Sequence, residues 1–286
     1  MNDAGEARSV AHTRGANFSL GFRLLPAARR RAVYAAYACC RIPDDIVDEA
    51  SAGSDSNDVR HRLDDWTAEV EAAYAGRPSQ PATRALAAVL GEFPIPKSAL
   101  LALVDGCRMD LERSRWASFA ELERYCELVA VTISDISLAV FGGEGPEAHA
   151  RGRDLAMALQ LTNICRDVGE DLGRGRIYLP LDELERFKVA EADLVAGRVE
   201  TLAYRTLMAW QCGRARDFFR AANPLPKLLA PDARGAVRVM GGVYRRVCER
   251  VARDPVRAFA IRTELPRWQR LTTVARGLLG ADFIGR

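Results

Sequence analysis

"QLTNICRDVGEDLGRGRIYLP", residues 160–180, places Asp167, Glu170 and Asp171 within five positions, behind a run with helical periodicity and ahead of two glycines. Asp167 and Asp171 are four apart, so on a helix they share one face. An upstream stretch, "YAAYACCRIPDDIVDEA" at 34–50, repeats the pattern with Asp44 and Asp48, accompanied by Asp45 and Glu49. Like charges at this spacing cost an isolated helix a few tenths of a kcal/mol unless a cation lies between them. Taken alone, each cluster also has a plain reading. Pro43 can open a helix whose first turn welcomes acids, and Arg166 with Glu170 can form a solvated i,i+4 pair.

Outward from these stretches, Ala, Leu, Arg and Glu recur at helical spacing, while short β-branched runs bounded by turns are missing. The expected fold is all-α. Breaks at "SAGSDSND", "AGRPSQP", "GEFPIP", "FGGEGPE", "GRGR", "NPLP" and "RDP" leave segments of helix length, and none is long enough to link two domains. One helical domain over 17–286, preceded by a flexible segment 1–16, is expected, with a mobile polar loop at 51–60. The apolar stretch from Phe119 to Gly142 reads as a central helix.

The chain has 286 residues, 49% apolar and 28% charged, with 41 basic against 38 acidic side chains. That near balance argues against a nucleic-acid partner. Seven cysteines are scattered without a CxxC pair, as expected of reduced thiols in a cytoplasmic protein. Three histidines, His12, His61 and His149, stand at no zinc-ligand spacing, so a bound metal would take oxygen ligands. The N-terminus lacks the apolar core of a signal peptide, and "LVAVTISDISLAVFGG" from 128 falls short of a membrane span. Peripheral membrane contact by way of a greasy substrate or product stays open, as does the oligomeric state.

Two DxxxD patterns facing one another across a bundle would offer four carboxylates to one cavity. Mg²⁺ suits such a site, because it takes one or two carboxylates and completes its octahedron with water and phosphate oxygens; Mn²⁺ is an alternative. The implied ligand is a diphosphate, which the metal would help to depart. Arg41, Arg166, Arg174 and Arg176 are placed to grip it, Gln160 and Asn163 offer amides on nearly the same face, and Arg262 in "AFAIRTELP" is a further candidate. A carbocation left behind needs a dry pocket with π faces. Phe18, Phe22, Tyr34, Tyr37, Tyr125 and Tyr178 are the candidates.

With these residues, the chain resembles the squalene and phytoene synthase family of head-to-head prenyl transferases. The likeness runs from "NFSLGFRLLPAARRRAVYAAYACCRIPDDIVDE" through "YCELVA" and "QLTNICRDVGEDLGRGRIYLPLDEL" to "YRRVCERV". It implies the prenyl-synthase helical bundle around a central channel, with Asp44, Asp48, Asp167 and Asp171 holding Mg²⁺ and two prenyl diphosphates. One substrate would ionise, the second would attack, and a cyclopropyl-carbinyl diphosphate would rearrange to a linear product. Tyr125 matches the motif tyrosine that assists proton removal or stabilises the cation, and Arg41, Gln160, Asn163 and Arg166 fall near the diphosphates. Phytoene from geranylgeranyl diphosphate is favoured, with a C30 squalene-type product from farnesyl diphosphate close behind. No dinucleotide fingerprint is present, and use of NADPH is left open.

Two departures stand out. The central motif carries Val131 in place of a small residue and Ser134 in place of a glycine, which is expected to narrow the channel at Val131 and admit polar contacts at Ser134 and Asp135. Pro43 is expected to kink or begin a helix. These leave two alternatives standing: ionisation and cyclisation of a single prenyl diphosphate, and a non-catalytic prenyl-lipid binder.

Overall fold

The computed structural model describes residues 20–49 and 56–280. Segment 1–16, the start of the domain at 17 and the candidate Phe18 lie outside them. Among the described residues every regular element is helical, and the one β-bridge pairs Arg115 with Ile177. The all-α expectation holds.

Helix α1 (Ala27–Asp48) opens after Pro26 and buries Val33, Tyr34, Ala36 and Cys40. It passes through Pro43 without ending. The expectation that a helix begins at Pro43 is therefore corrected: sixteen residues upstream already supply turns and core contacts that outweigh one lost hydrogen bond. Helix α2 (Ser56–Tyr74) starts inside the stretch expected to be a polar loop, because Val59, Leu63, Trp66, Val70 and Ala73 form a buried helical stripe. Helices α3 (Pro81–Leu90) and α4 (Lys97–Glu112) pack against α1.

The expected central helix is a composite. Helix α5 (Phe119–Cys126) starts at Ser118, whose hydroxyl accepts from the Glu121 amide. A π-helical turn over Glu127–Val131 follows, and α6 (Thr132–Phe141) ends on Gly142 in the left-handed conformation, φ 72°. Gly106 of α4 lies against this turn so closely that an added Cβ would stand 2.7 Å from Val129 Cγ1.

Helix α7 (Gly145–Arg166) leads into the short α8 (Val168–Gly173), α9 (Leu181–Arg186) and α10 (Glu191–Val195). Helix α11 (Leu202–Ala222) makes the most extensive pairing of the fold with α7. Helix α12 (Arg234–Arg253) packs on both, α13 (Pro255–Ala260) reaches α8, and α14 (Arg267–Leu278) lies along α12. One hydrophobic cluster joins residues from Phe22 to Leu265. All seven cysteines are buried free thiols. No described helix is long and apolar enough to cross a membrane.

Candidate active site

The bundle encloses a cavity of about 730 Å³. Its inner part is walled by Ile133, Leu138, Phe141, Leu155 and Met240, and its mouth by Asp44, Asp48, Asp167, Glu170 and Asp171. The first acids come from the last turns of α1. The second group straddles a break, since α7 ends at Arg166 and α8 begins at Val168. The Asp171 amide nevertheless donates to the Asp167 carbonyl at 2.8 Å, which keeps the i,i+4 register across the junction.

Arginines hold the two clusters together. Arg174 touches Asp48 with Nη1 and Glu170 with Nη2, each at 3.3 Å, so one guanidinium spans from the α1 acids to the α8 acids. Arg176 Nη1 donates to Asp48 at 3.1 Å. Arg41 donates to both Asp44 and Asp45, the latter at 2.6 Å. Arg166, almost fully buried, binds Asp167 through Nε at 2.7 Å and is also hydrogen-bonded to Tyr244. Arg262, from the strap between α13 and α14, approaches Asp167 at 3.4 Å and Glu170 at 3.7 Å.

Concentrated acid has an electrostatic signature. Burial, reinforced by Asp48, Asp110 and Asp45 against the opposing Arg41, pushes the Asp44 carboxyl up to about 6. Burial and the neighbouring Asp167 charge push Asp171 up to about 7. Both would be relieved by a cation at the mouth.

The donors fit a hard divalent ion. Asn163 Oδ1 is buried in the cavity wall without a hydrogen-bond donor, an orphaned oxygen one turn from Asp167. No three His, Cys, Asp or Glu groups among the described residues converge on a single point.

Of the residues singled out from sequence, Tyr37, Arg41, Asp44, Asp48, Tyr125, Gln160, Asn163, Arg166, Asp167, Asp171 and Arg262 all line this cavity. Arg176 and Tyr178 stand behind its wall, reaching it through Asp48 and Tyr125. Phe22 lines the cavity, while Tyr34 lies in the core, edge-on to Phe22. Val131 packs into the core and does not line the cavity, whereas Val129, Ala130 and Ser134 do. The expected narrowing at Val131 is thus corrected: on the π turn it is Val129 and Ala130 that face the cavity. Asp135 is turned away to His149, 2.9 Å distant.

Sequence reasoning missed Asp110. Its Oδ2 accepts from Tyr125 at 2.7 Å and its Oδ1 from Tyr178 at 2.8 Å, and the two phenol rings stack at 5.4 Å with Trp116 alongside Tyr125. Burial raises the Asp110 carboxyl, and the charge of Arg176 opposes this. Tyr244, which braces Arg166, was missed as well.

Comparison with known proteins places the chain and its fold. The squalene/phytoene synthase family model matches residues 11–269. A phytoene synthase of Arthrospira platensis is 38% identical, covering 97% of this chain and 93% of its own. A phytoene synthase of Thermus thermophilus is also 38% identical, over 96% of this chain and 92% of its own. A solved dehydrosqualene synthase in complex with ligand superposes with a TM-score of 0.87 at 26% identity, covering 97% of this chain and 96% of that one.

Proposed function

Because the chain belongs to the squalene/phytoene synthase family, we propose that the acid-mouthed cavity condenses two prenyl diphosphates head to head, geranylgeranyl diphosphate giving phytoene. The observation that carries this reading is Arg174 lying between Asp48 and Glu170 at the entrance to an apolar chamber. Diphosphate groups belong at that mouth, and prenyl tails belong inside.

Asp44, Asp48, Asp167 and Asp171, with Asn163 Oδ1 beside them, would hold Mg²⁺. When bound, the metal supplies Lewis-acid polarisation of the leaving diphosphate. Arg41, Arg166, Arg174, Arg176 and Arg262 exchange their carboxylate partners for phosphate oxygens, which are equally good acceptors for a planar guanidinium. Cleavage of the first carbon–oxygen bond leaves an allylic cation in the apolar interior, where no water competes with the second substrate. The double bond of that second substrate attacks, a proton passes to the diphosphate released by the first, and the cyclopropyl ring closes. Departure of the second diphosphate, rearrangement and loss of another proton complete the linear triene centre. Tyr125 offers its π face to the cation, and Asp110 orients its hydroxyl.

Purified protein incubated with Mg²⁺ and geranylgeranyl or farnesyl diphosphate, with and without NADPH, tests this by product mass. The expected product from geranylgeranyl diphosphate has twice the carbon of the substrate and forms without NADPH. A product with the substrate's own carbon number would replace coupling by single-substrate ionisation. Prenyl diphosphate binding that ignores Mg²⁺ and yields no product would reduce the protein to a binder.

A further inference from the structure

Helix α14 wears its apolar face outward. Trp268, Leu271, Ala275, Leu278 and Leu279 fall at i, i+3, i+7, i+10 and i+11, a single stripe at helical period. A stripe of this kind normally packs on the core. Here Trp268, Leu271, Leu278 and Leu279 are 63, 70, 60 and 87% exposed, while Thr273 and Gly277 are turned inward and Val274 is the apolar residue of the helix that packs on the core. The orientation is fixed by close fit. A Cβ on Gly277 would stand 2.6 Å from Val239 Cγ2 and 3.2 Å from the Val239 amide nitrogen, and one on Gly242 would stand 2.9 Å from Thr273 Cγ2. Arg246 also ties α12 to the first turns of α14, donating to the Gln269 carbonyl at 2.8 Å and to Thr272 Oγ1 at 2.7 Å. Turning the stripe inward would break all of these contacts.

The charge on this helix selects its partner. Arg267, Arg270 and Arg276 are its ionic residues, and it carries no carboxylate. Arg267 and Arg276 flank the stripe on opposite sides, as in helices that lie in a bilayer interface with basic side chains at the headgroups. The position of the helix matters too. The strap leading into it supplies Arg262, Thr263 and Glu264 to the cavity rim, Arg270 completes that rim, and Ile261 on the strap is 63% exposed. The strap and the first turn of α14 therefore belong to the doorway of the chamber, and the apolar face rises from the same helix.

We propose that the outward face of α14 is a docking surface for an anionic phospholipid membrane, which sets the cavity mouth against the bilayer so that prenyl chains pass between lipid and protein. The docking face lies outside the catalytic chamber, so it can fail while the proposed chemistry stands, and the reverse.

Flotation of the full chain with vesicles of phosphatidylcholine alone, or with roughly one-third phosphatidylglycerol, tests it. The wild type is expected to float with the anionic vesicles, at least about tenfold more than with neutral ones, and to be released by salt. Leu271→Glu with Leu278→Glu is expected to abolish flotation while melting normally and turning over detergent-dispersed substrate at the wild-type rate. In Trp268→Phe, which keeps an apolar ring, the blue shift of tryptophan emission on adding vesicles should shrink while flotation persists. The proposal is overturned if the wild type stays behind with both vesicle types, or if the double variant floats as well as the wild type. It is overturned equally if light scattering shows a wild-type dimer that the double variant splits, since the stripe would then face a second copy.

Discussion

At the scale of single residues, the site divides into what local spacing reveals and what only tertiary contact reveals. Asp44, Asp48, Asp167 and Asp171 are legible because diphosphate chemistry repeats one i,i+4 pattern in two places, and a repeated pattern needs no structure to be seen. Asp110 has no such partner in its own helix. Its role comes from two phenols on segments that reach it through the fold, at 2.7 and 2.8 Å. Asp110→Asn keeps the shape but exchanges one acceptor oxygen for a donor, so both tyrosine hydroxyls cannot be held as before. The expected result is a fall in kcat of about 10- to 100-fold with little change in KM for prenyl diphosphate; an unchanged kcat would remove Asp110 from the account. Gly169 is a second residue whose importance lies in space. A Cβ there would meet the Phe259 carbonyl oxygen at 2.1 Å. Gly169→Ala must push α8 away from α13, at a cost of about 1–3 kcal/mol. Because Asp167 and Asp171 flank it, the variant should lower both the Tm and the Mg²⁺-dependent affinity for diphosphate, read by melting and calorimetry.

Among the helices, periodicity located nearly all of the elements and failed where the backbone leaves the α-helical repeat. The Glu127–Val131 turn is π-helical, a departure from the 3.6-residue repeat that its residue types do not announce. The family motif points to Val131 as a channel residue, whereas Ala130 lines the wall. Register survived at the Arg166–Val168 junction because the Asp167 carbonyl still accepts from the Asp171 amide. The start of α3 depends on a contact equally invisible in the sequence. The buried Glu69 carboxylate accepts from the Ser79 amide at 2.7 Å, the Ser79 hydroxyl at 2.6 Å and the Gln80 amide at 2.8 Å, and also from Thr83. These hydrogen bonds outweigh its desolvation and hold the carboxyl down at about 2. An ordinary unfolded glutamate titrates near pH 4.3. The contribution of Glu69 is therefore complete above that pH and disappears as the pH falls toward 2. Glu69→Gln should cost about 1–3 kcal/mol at neutral pH, and its Tm should fall less steeply than that of the wild type between those pH values. Parallel curves would contradict this.

For the molecule as a whole, the all-α class and the convergence of two distant acid clusters were both readable from sequence, while the dimensions of the chamber were not. Its width depends on where helices touch. Gly152 of α7 lines the cavity, and a Cβ there would stand 2.6 Å from Ser134 Oγ and 2.9 Å from Leu138 Cδ1. Gly152→Ala should shift the ratio of kcat/KM toward farnesyl over geranylgeranyl diphosphate by about tenfold, measured by competition between the two substrates. A ratio unchanged from wild type would show that the prenyl chain does not pass Gly152. The central claim concerns the mouth: acids from α1 and from α8 serve one site. Calorimetric titration of the wild type, Asp48→Asn and Asp171→Asn with inorganic diphosphate, in the presence and absence of Mg²⁺, tests it most directly. Each substitution, on its own side of the cavity, is predicted to weaken the Mg²⁺-dependent binding by at least about tenfold, the scale of one lost charge-assisted contact; wild-type affinity in either variant would contradict a shared site.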